Sequence, residues 1–385
     1  MSGPKVLHVI TGLGIGGAEQ QLRLLLRHLP VRGRVVALTN PGPVALGIEA
    51  DGTPVTHLGM TGNRDLGALP RLARIVREGG YDLVHTHLYR ACVYGRIAAR
   101  LGGVRRVIAT EHSLGESQIE GRPLSAGTRA LYLASERLGT STVAVSPSVA
   151  RRLAAWGVAP ERIEVVPNGI ETGRFAFVPR ARRLTRGVLG LPEDAFVVGG
   201  VGRLAPGKRF DRLVRAVAAV PEARLLLVGD GPEREELRAV ARACGAAGRV
   251  LFFGACEDPP VDGPAGPTLP ELLAAMDVFV STSPDETFGL AVVEALATGL
   301  PVLYVACPAV EDLPADAAPG ARRIGESVPE LVGALRALRD GHGPRPVRLP
   351  APPAARRYDI ARSADRLMNL YGRALHGPPN PVNTP

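Results

Sequence analysis

Lysine is nearly absent from this sequence. Two of the 46 basic residues are lysine, Lys5 and Lys208, and the other 44 are arginine. The formal net charge is +9. Such a balance suits a nucleic-acid partner when the charges cluster on one face with aromatic rings between them. Here the arginines are spread over helical stretches such as Arg71 to Arg77, and aromatics make up 4% of the chain. We therefore expect an arginine-rich solvated surface and no nucleic-acid partner. A weak peripheral attraction to anionic phosphates or lipid surfaces is the most this charge supports. The four cysteines, Cys92, Cys244, Cys256 and Cys307, have no paired spacing. That excludes a disulfide framework and a cysteine zinc site, and fits reduced thiols. No run of 18 apolar residues occurs, so no membrane span is expected. The first residues enter an apolar strand with no long h-region, so no signal peptide is expected either. These absences point to a cytoplasmic protein.

What is present is strand–helix alternation over 385 residues, a length that suits two cores better than one. In the first half the pattern predicts strands at 5–11, 34–39, 54–58, 82–86, 106–110, 141–145 and 163–166. Helices are predicted at 18–28, 66–78, 90–101, 125–138 and 147–156. The second half repeats the theme. Its strands are predicted at 195–202, 223–228, 249–253, 276–281 and 301–305, with helices at 209–219, 233–244, 268–275, 289–298 and 327–339. The fold class is α/β, with two doubly wound parallel sheets. We expect an N-terminal domain over 1–170, a linker over 171–192, and a C-terminal domain over 193–355. A final helix is expected over 356–375, followed by a disordered tail over 376–385. Asp258 to Pro270 and residues 341–355 look irregular, being rich in proline.

The most informative stretch is Ser281 to Pro301, STSPDETFGLAVVEALATGLP. A strand leads into a polar loop. Gly289 then opens a helix that Gly299 and Pro301 stop. The backbone N–H groups of Gly289 and Leu290 point out of the helix N-terminus, which favours phosphate. Glu286 lies just before this site and Glu294 lies five residues into the helix, about 7 Å beyond it at 1.5 Å per residue. That is roughly the reach from a diphosphate to its nucleoside ribose. Taken alone, the segment also fits an amphipathic helix with two solvated glutamates. Cations for a phosphate occur in Val201-Gly-Arg-Leu-Ala-Pro-Gly-Lys-Arg209. Arg203 offers a fork of donors and Lys208 a compact charge.

Gly12, Gly14 and Gly17 satisfy G-x-G-x-x-G between a strand and a helix. That is the pattern of a dinucleotide oxidoreductase, which also needs an acid at the end of the second strand. Here that strand ends in Thr39 and Asn40, and the next carboxylate is Glu49. Two histidine sites end first-half strands, Asp82-Leu-Val-His-Thr-His87 and Ala109-Thr-Glu-His112. His85 is expected in the core and His87 at the ligand-facing edge. HxH without a carboxylate or cysteine partner at ligand spacing does not make a metal site, and none is expected.

The segment Glu286-Thr-Phe-Gly-Leu-Ala-Val-Val-Glu294 resembles the E-x7-E motif of family-4 retaining glycosyltransferases of the GT-B fold. Matches from near residue 6 to near residue 306 extend the resemblance over most of the chain. It implies two Rossmann-like domains facing a central cleft, with the C-terminal helix packing back on the N-terminal domain. It implies transfer of a hexosyl group from a nucleoside diphosphate sugar, UDP-sugar favoured, to a hydroxyl acceptor such as a glycolipid, polyol or specialised metabolite. No cofactor is implied, since the nucleotide sugar is a substrate. By this resemblance Arg203 and Lys208 hold the diphosphate, with the N–H groups of Gly289 and Leu290. Glu294 takes the ribose, Glu286 the sugar, and His112 the sugar's 6-hydroxyl. Gly16 and Gly17 bring backbone close to the donor, where glycine also permits positive φ. Asp230 is expected to cap a helix. Phe252 to Glu257 ends the strand where the family holds the base, and the insertion 258–270 departs from the pattern there. A sugar-nucleotide epimerase of the same fold and a non-catalytic sugar-nucleotide-binding protein remain as alternatives.

Overall fold

The computed structural model describes residues 3–62, 65–116, 118–120, 122–256, 266–343 and 348–377. Most of the expected 258–270 loop and nearly all of the expected disordered tail therefore lie outside the described residues. The chain divides into two compact units, residues 1–169 with 360–385, and residues 170–359.

The first unit is built on a seven-stranded parallel sheet. Its order is Val55–His57, Arg32–Ala37, Lys5–Ile10, Leu83–His87, Val107–Glu111, Ser141–Ala144 and Ile163–Val165. Central strands are buried throughout because helices cover both faces; all residues of Leu83–His87 and Val107–Glu111 are buried, the polar His85, Thr86, His87, Thr110 and Glu111 included. The helix Ile360–His376 belongs to this unit. Its stripe Ile360, Ala364, Leu367, Leu370 and Tyr371 recurs at helical spacing and packs with Val6, Leu25, Leu29 and Val166. The final helix thus packs on the N-terminal domain, as the resemblance implies.

The second unit repeats the design with six parallel strands, in the order Val250–Gly254, Ala223–Val228, Phe196–Val201, Val278–Ser281, Val302–Tyr304 and Ala321–Arg323. In both sheets the first strand sits between the second and the fourth. The crevice at that reversal, beyond the strand C-termini, is where doubly wound sheets bind ligands.

Several elements differ from the expectations. Gly42–Ala50 is a helix, and Gln118–Ile119 pairs antiparallel with Arg122–Pro123. The stretch expected as linker contains the helix Pro179–Val188, which belongs to the second unit. Two of its four arginines, Arg182 and Arg186, are buried, while Arg180 and Arg183 are exposed. Arg182 and Arg186, one turn apart, donate to the two carboxylate oxygens of Asp277 at 2.6 and 2.7 Å. Both also donate to carbonyls at the end of the helix Leu269–Ala275. Asp277 accepts the Val197 N–H at 2.8 Å, which fixes this cluster to the sheet. Cations at a helix C-terminus satisfy carbonyls that lack intrahelical partners. Pro353–Arg357 is likewise helical where 341–355 reads as irregular. All four cysteines are free thiols. No helix of the described residues is long and apolar enough to cross a membrane.

Candidate active site

In the second unit the two strands that flank the reversal, Phe196–Val201 and Val278–Ser281, are hydrogen-bonded neighbours. The loop after the first carries Arg203 and Lys208. The loop after the second carries Glu286 and leads into the helix Leu290–Ala297. Two hydroxyls tie the loops together. Thr282 donates to the Lys208 carbonyl at 2.7 Å, and Ser283 donates to the Gly207 carbonyl at 3.1 Å. Both are buried. Lys208 Nζ donates to Glu286 Oε1 in an ion pair. In the sequence Thr282 and Ser283 are only part of the polar loop after the strand, with no role assigned to them. Their signal was present in two hydroxyl residues placed directly after a buried strand.

Backbone conformation shapes the rest. Gly289 is the helix N-cap with φ 98° and ψ 47°, the left-handed region that glycine alone adopts without strain. A Cβ there would fall 2.5 Å from Cys307 Sγ. Cys307 is fully buried and donates toward the Phe288 carbonyl at 3.5 Å. Burial, with the nearby Glu286 charge adding to it, raises its thiol pKa well above the ordinary value, so it stays protonated. Glu294 lies half-buried within the helix. Arg203 is exposed and makes no hydrogen bond or ion pair among the described residues. Arg209, directly after Lys208, holds φ 52°, a left-handed conformation uncommon outside glycine and a sign of local strain. Gly229 at φ 139° lets the next strand-end turn approach the Gly202 carbonyl, which a Cβ would meet at 1.9 Å. Asp230 does not cap a helix. It accepts the Gly231 N–H at 2.7 Å and pairs with Arg234, while Glu233 holds the N-cap position.

In the first unit, Gly16 is the N-cap of the helix Gly17–His28. Neither Gly16 nor Gly17 has positive φ, so that part of the expectation fails. Gly16 is extended, and a Cβ there would meet only the movable end of a side chain, a Glu19 carboxylate oxygen at 2.4 Å. Where a dehydrogenase would need its ribose acid, Thr39 donates to the Thr11 carbonyl and Asn40 accepts the Gly42 N–H.

His112 follows the strand Val107–Glu111 directly and is buried, as are His8, His85 and His87. His87 is fully buried, not at an edge. His8 Nδ1 and His87 Nε2 are 3.2 Å apart, and His87 Nδ1 and His112 Nε2 are also 3.2 Å apart. His85 bonds the Tyr371 hydroxyl at 2.6 Å and the Thr110 hydroxyl at 2.7 Å. Burial lowers the imidazole pKa to about 3 at His8 and about 4 at His112, and to well below the usual value at His85 and His87. Nitrogens of His8, His85 and His87 lie within 4.8 Å of one another, close enough for a metal ion. Both His85 nitrogens, however, are engaged by hydroxyls, and His8 and His87 bond each other. That set of contacts fits a hydrogen-bonded network. Beside it Glu111 is buried with its carboxyl pushed up to about 7, by burial first and by Glu120 second.

Residues 15–174 match the model of Glycosyltransferase Family 4, and residues 181–338 match that of Glycosyl transferases group 1. The chain is 32% identical over 356 residues to D-inositol 3-phosphate glycosyltransferase 1 of Catenulispora acidiphila, covering 85% of this chain and 82% of that one. The chain belongs to the GT-B glycosyltransferases. This glycosyltransferase is also 35% identical over 236 residues to the GDP-mannose-dependent alpha-mannosyltransferase of Mycobacterium tuberculosis, 60% of this chain and 57% of the relative. Its fold is similar to that of Anabaena Alr3699/HepE, solved in complex with UDP-glucose, with a TM-score of 0.78 at 25% identity over 96% of this chain and 99% of that one. These likenesses concern the whole architecture. The roles of the individual site residues rest on the geometry given above.

Proposed function

We propose that this glycosyltransferase moves a hexosyl group, with retention of configuration, from a UDP-sugar to a hydroxyl acceptor such as a glycolipid, polyol or specialised metabolite. The observation that carries the reading is the Lys208–Glu286 ion pair beside a glycine-capped helix N-terminus, with Glu294 farther along the same helix. In the donor complex the diphosphate replaces Glu286 as the partner of Lys208. Arg203 and the N–H groups of Gly289 and Leu290 complete the anion site. Glu286 then accepts hydroxyls of the sugar, and Glu294 accepts those of the ribose. His112, from the first unit, bonds the sugar's 6-hydroxyl, and the backbone at Gly16 and Gly17 lies along the donor.

The leaving diphosphate departs and the acceptor attacks on the same face, with the leaving phosphate taking the acceptor proton. Preorganised cations stabilise the charge that develops on the leaving group, so no metal or other cofactor is needed. Uridine is favoured because UDP and UDP-glucose are found in complexes of Anabaena Alr3699/HepE. The reaction is placed in the cytoplasm, with weak electrostatic contact to anionic membranes. A screen of UDP-, GDP-, ADP- and dTDP-glucose hydrolysis tests the donor, and proton NMR of the released or transferred sugar tests the anomeric outcome. Fastest turnover of the UDP donor with an α product is expected; a β product contradicts retention.

A further inference from the structure

The donor scheme names the groups that touch the nucleotide sugar and leaves open what holds Lys208 in place. Its ammonium ends a flexible four-carbon side chain, so its position is only as firm as the backbone beneath it. That backbone is a single turn, Pro206–Lys208, between two core residues of the second unit, Leu204 and Phe210. Within this excursion Pro206 and Gly207 are exposed. The Lys208 N–H donates to the Ala205 carbonyl at 2.9 Å, and the Arg209 N–H to the Pro206 carbonyl at 3.3 Å. No backbone N–H among the described residues reaches the carbonyls of Gly207 and Lys208.

Two hydroxyls reach them instead. Thr282 Oγ1 donates to the Lys208 carbonyl at 2.7 Å, and Ser283 Oγ lies 3.1 Å from the carbonyls of both Gly207 and Asp285. A hydroxyl has one hydrogen, so Ser283 shares it between the two. Its partners directly precede Lys208 and Glu286 in the chain. Thr282 and Ser283 are each 2% exposed, which shields these bonds from competing water. The turn they hold is strained at its end, where Arg209 has φ 52° and ψ 36°. A non-glycine residue keeps such a conformation only where its surroundings over-determine it. Here the buried Phe210 side chain fixes one side and the two hydroxyl bonds fix the other.

We propose that Thr282 and Ser283 are positioning residues for the transfer reaction. Their hydroxyls are engaged by backbone carbonyls, so they act through Lys208. By fixing the turn they present the ammonium to the charge that develops on the leaving diphosphate, with no reorganisation needed at the moment of reaction. A loosened turn lets the ammonium settle off that position. The bound nucleotide is still held by Arg203 and the N–H groups of Gly289 and Leu290, so the effect falls on turnover more than on affinity. Ser283 also steadies the backbone beside Glu286. The catalytic part of the inference rests on the proposed donor site; the grip on the turn does not.

Thr282→Val removes the hydroxyl at nearly constant shape, and Thr282→Ser keeps it. In UDP-glucose hydrolysis the kcat of Thr282→Val should fall on the order of tenfold to a hundredfold, the scale of a displaced catalytic group. KM and UDP affinity should hold within a few fold. Thr282→Ser should keep most of the wild-type rate. In the Lys208→Ala background, read at raised enzyme concentration, Thr282→Val should cost nothing further. Full turnover by Thr282→Val overturns the proposal. So does the same fold loss with and without Lys208, which is what a merely structural hydroxyl gives. Hydrogen exchange over residues 203–212, followed by mass spectrometry, reads the grip without activity. It should speed up in Thr282→Val and in Ser283→Ala, the latter serving alone if the former does not fold. Unchanged exchange there overturns the grip itself. Full hydrolysis by Lys208→Ala refutes the donor reading instead, and the exchange result still decides the grip.

Discussion

The Lys208 ammonium is bonded to the Glu286 carboxylate across 78 residues of sequence. It is held there by the Thr282 and Ser283 hydroxyls, which grip the carbonyls of Lys208 and Gly207. Each of these side chains lies in one of two loops that leave adjacent parallel strands at the point where the strand order reverses. The pair is therefore built by topology as much as by charge, and it stands where an anionic ligand is expected to enter.

If Lys208 stabilises the leaving diphosphate, its loss removes a preorganised transition-state contact worth roughly 3–4 kcal/mol. Lys208→Ala should lower turnover by about two orders of magnitude or more, and EDTA should leave the wild type active. Steady-state hydrolysis of UDP-glucose checks both. Full activity in the variant, or loss of activity with chelator, removes this role.

The buried Arg182–Asp277–Arg186 cluster supports the same unit from below the sheet. Removing one partner of a buried pair leaves uncompensated charge and typically costs about 3–5 kcal/mol. Asp277→Ala should lower stability by that order, seen as a shift in the urea midpoint, with the folded fraction still binding UDP. A shift worth less than about 1 kcal/mol would show that the arginines are satisfied by the surrounding carbonyls alone.

The first unit should carry two opposed pH terms. Glu111 has its folded pKa raised from 4.5 to about 7. Its stabilising contribution is complete below pH 4.5 and is lost as the pH rises through 7, on the order of 3 kcal/mol in all. The buried histidines act in the opposite sense. With folded pKa values near 3 and 4 at His8 and His112, they favour the fold above pH 6.5 and lose that contribution as the pH falls. Glu111→Gln isolates the first term. Relative to wild type it should gain stability between pH 5 and pH 8, measured by chemical denaturation at both. A constant difference across that range contradicts the raised carboxyl.

Much of this was legible in the sequence. The strands were visible because parallel sheets covered on both faces need continuous apolar runs. Gly289, Glu286, Glu294 and Lys208 were visible because a glycine-opened helix and a rare lysine both stand out against this composition. The helix Pro179–Val188 was hidden by Arg182 and Arg186, which read as solvated because their partners, Asp277 and the carbonyls of 274–276, lie about 90 residues away. The imidazole chain was hidden for a similar reason. HxH is local, but the link from His87 to His8 spans 79 residues and exists only through strand pairing. Thr282 and Ser283 look like ordinary loop residues until the second loop is placed beside them.

The central claim is that one short segment divides the donor between its two glutamates. Glu294, inside the helix, takes the ribose, and Glu286, before it, touches only the transferred sugar. Calorimetric titration of Glu294→Gln and Glu286→Gln with UDP tests this most directly. Glu294→Gln should bind UDP more weakly, by ~1.5–3 kcal/mol for each charged hydrogen bond lost. Glu286→Gln should bind it nearly as the wild type does while losing turnover with the UDP-sugar. Equal affinity of the two variants for UDP, or the reverse order, would contradict the assignment.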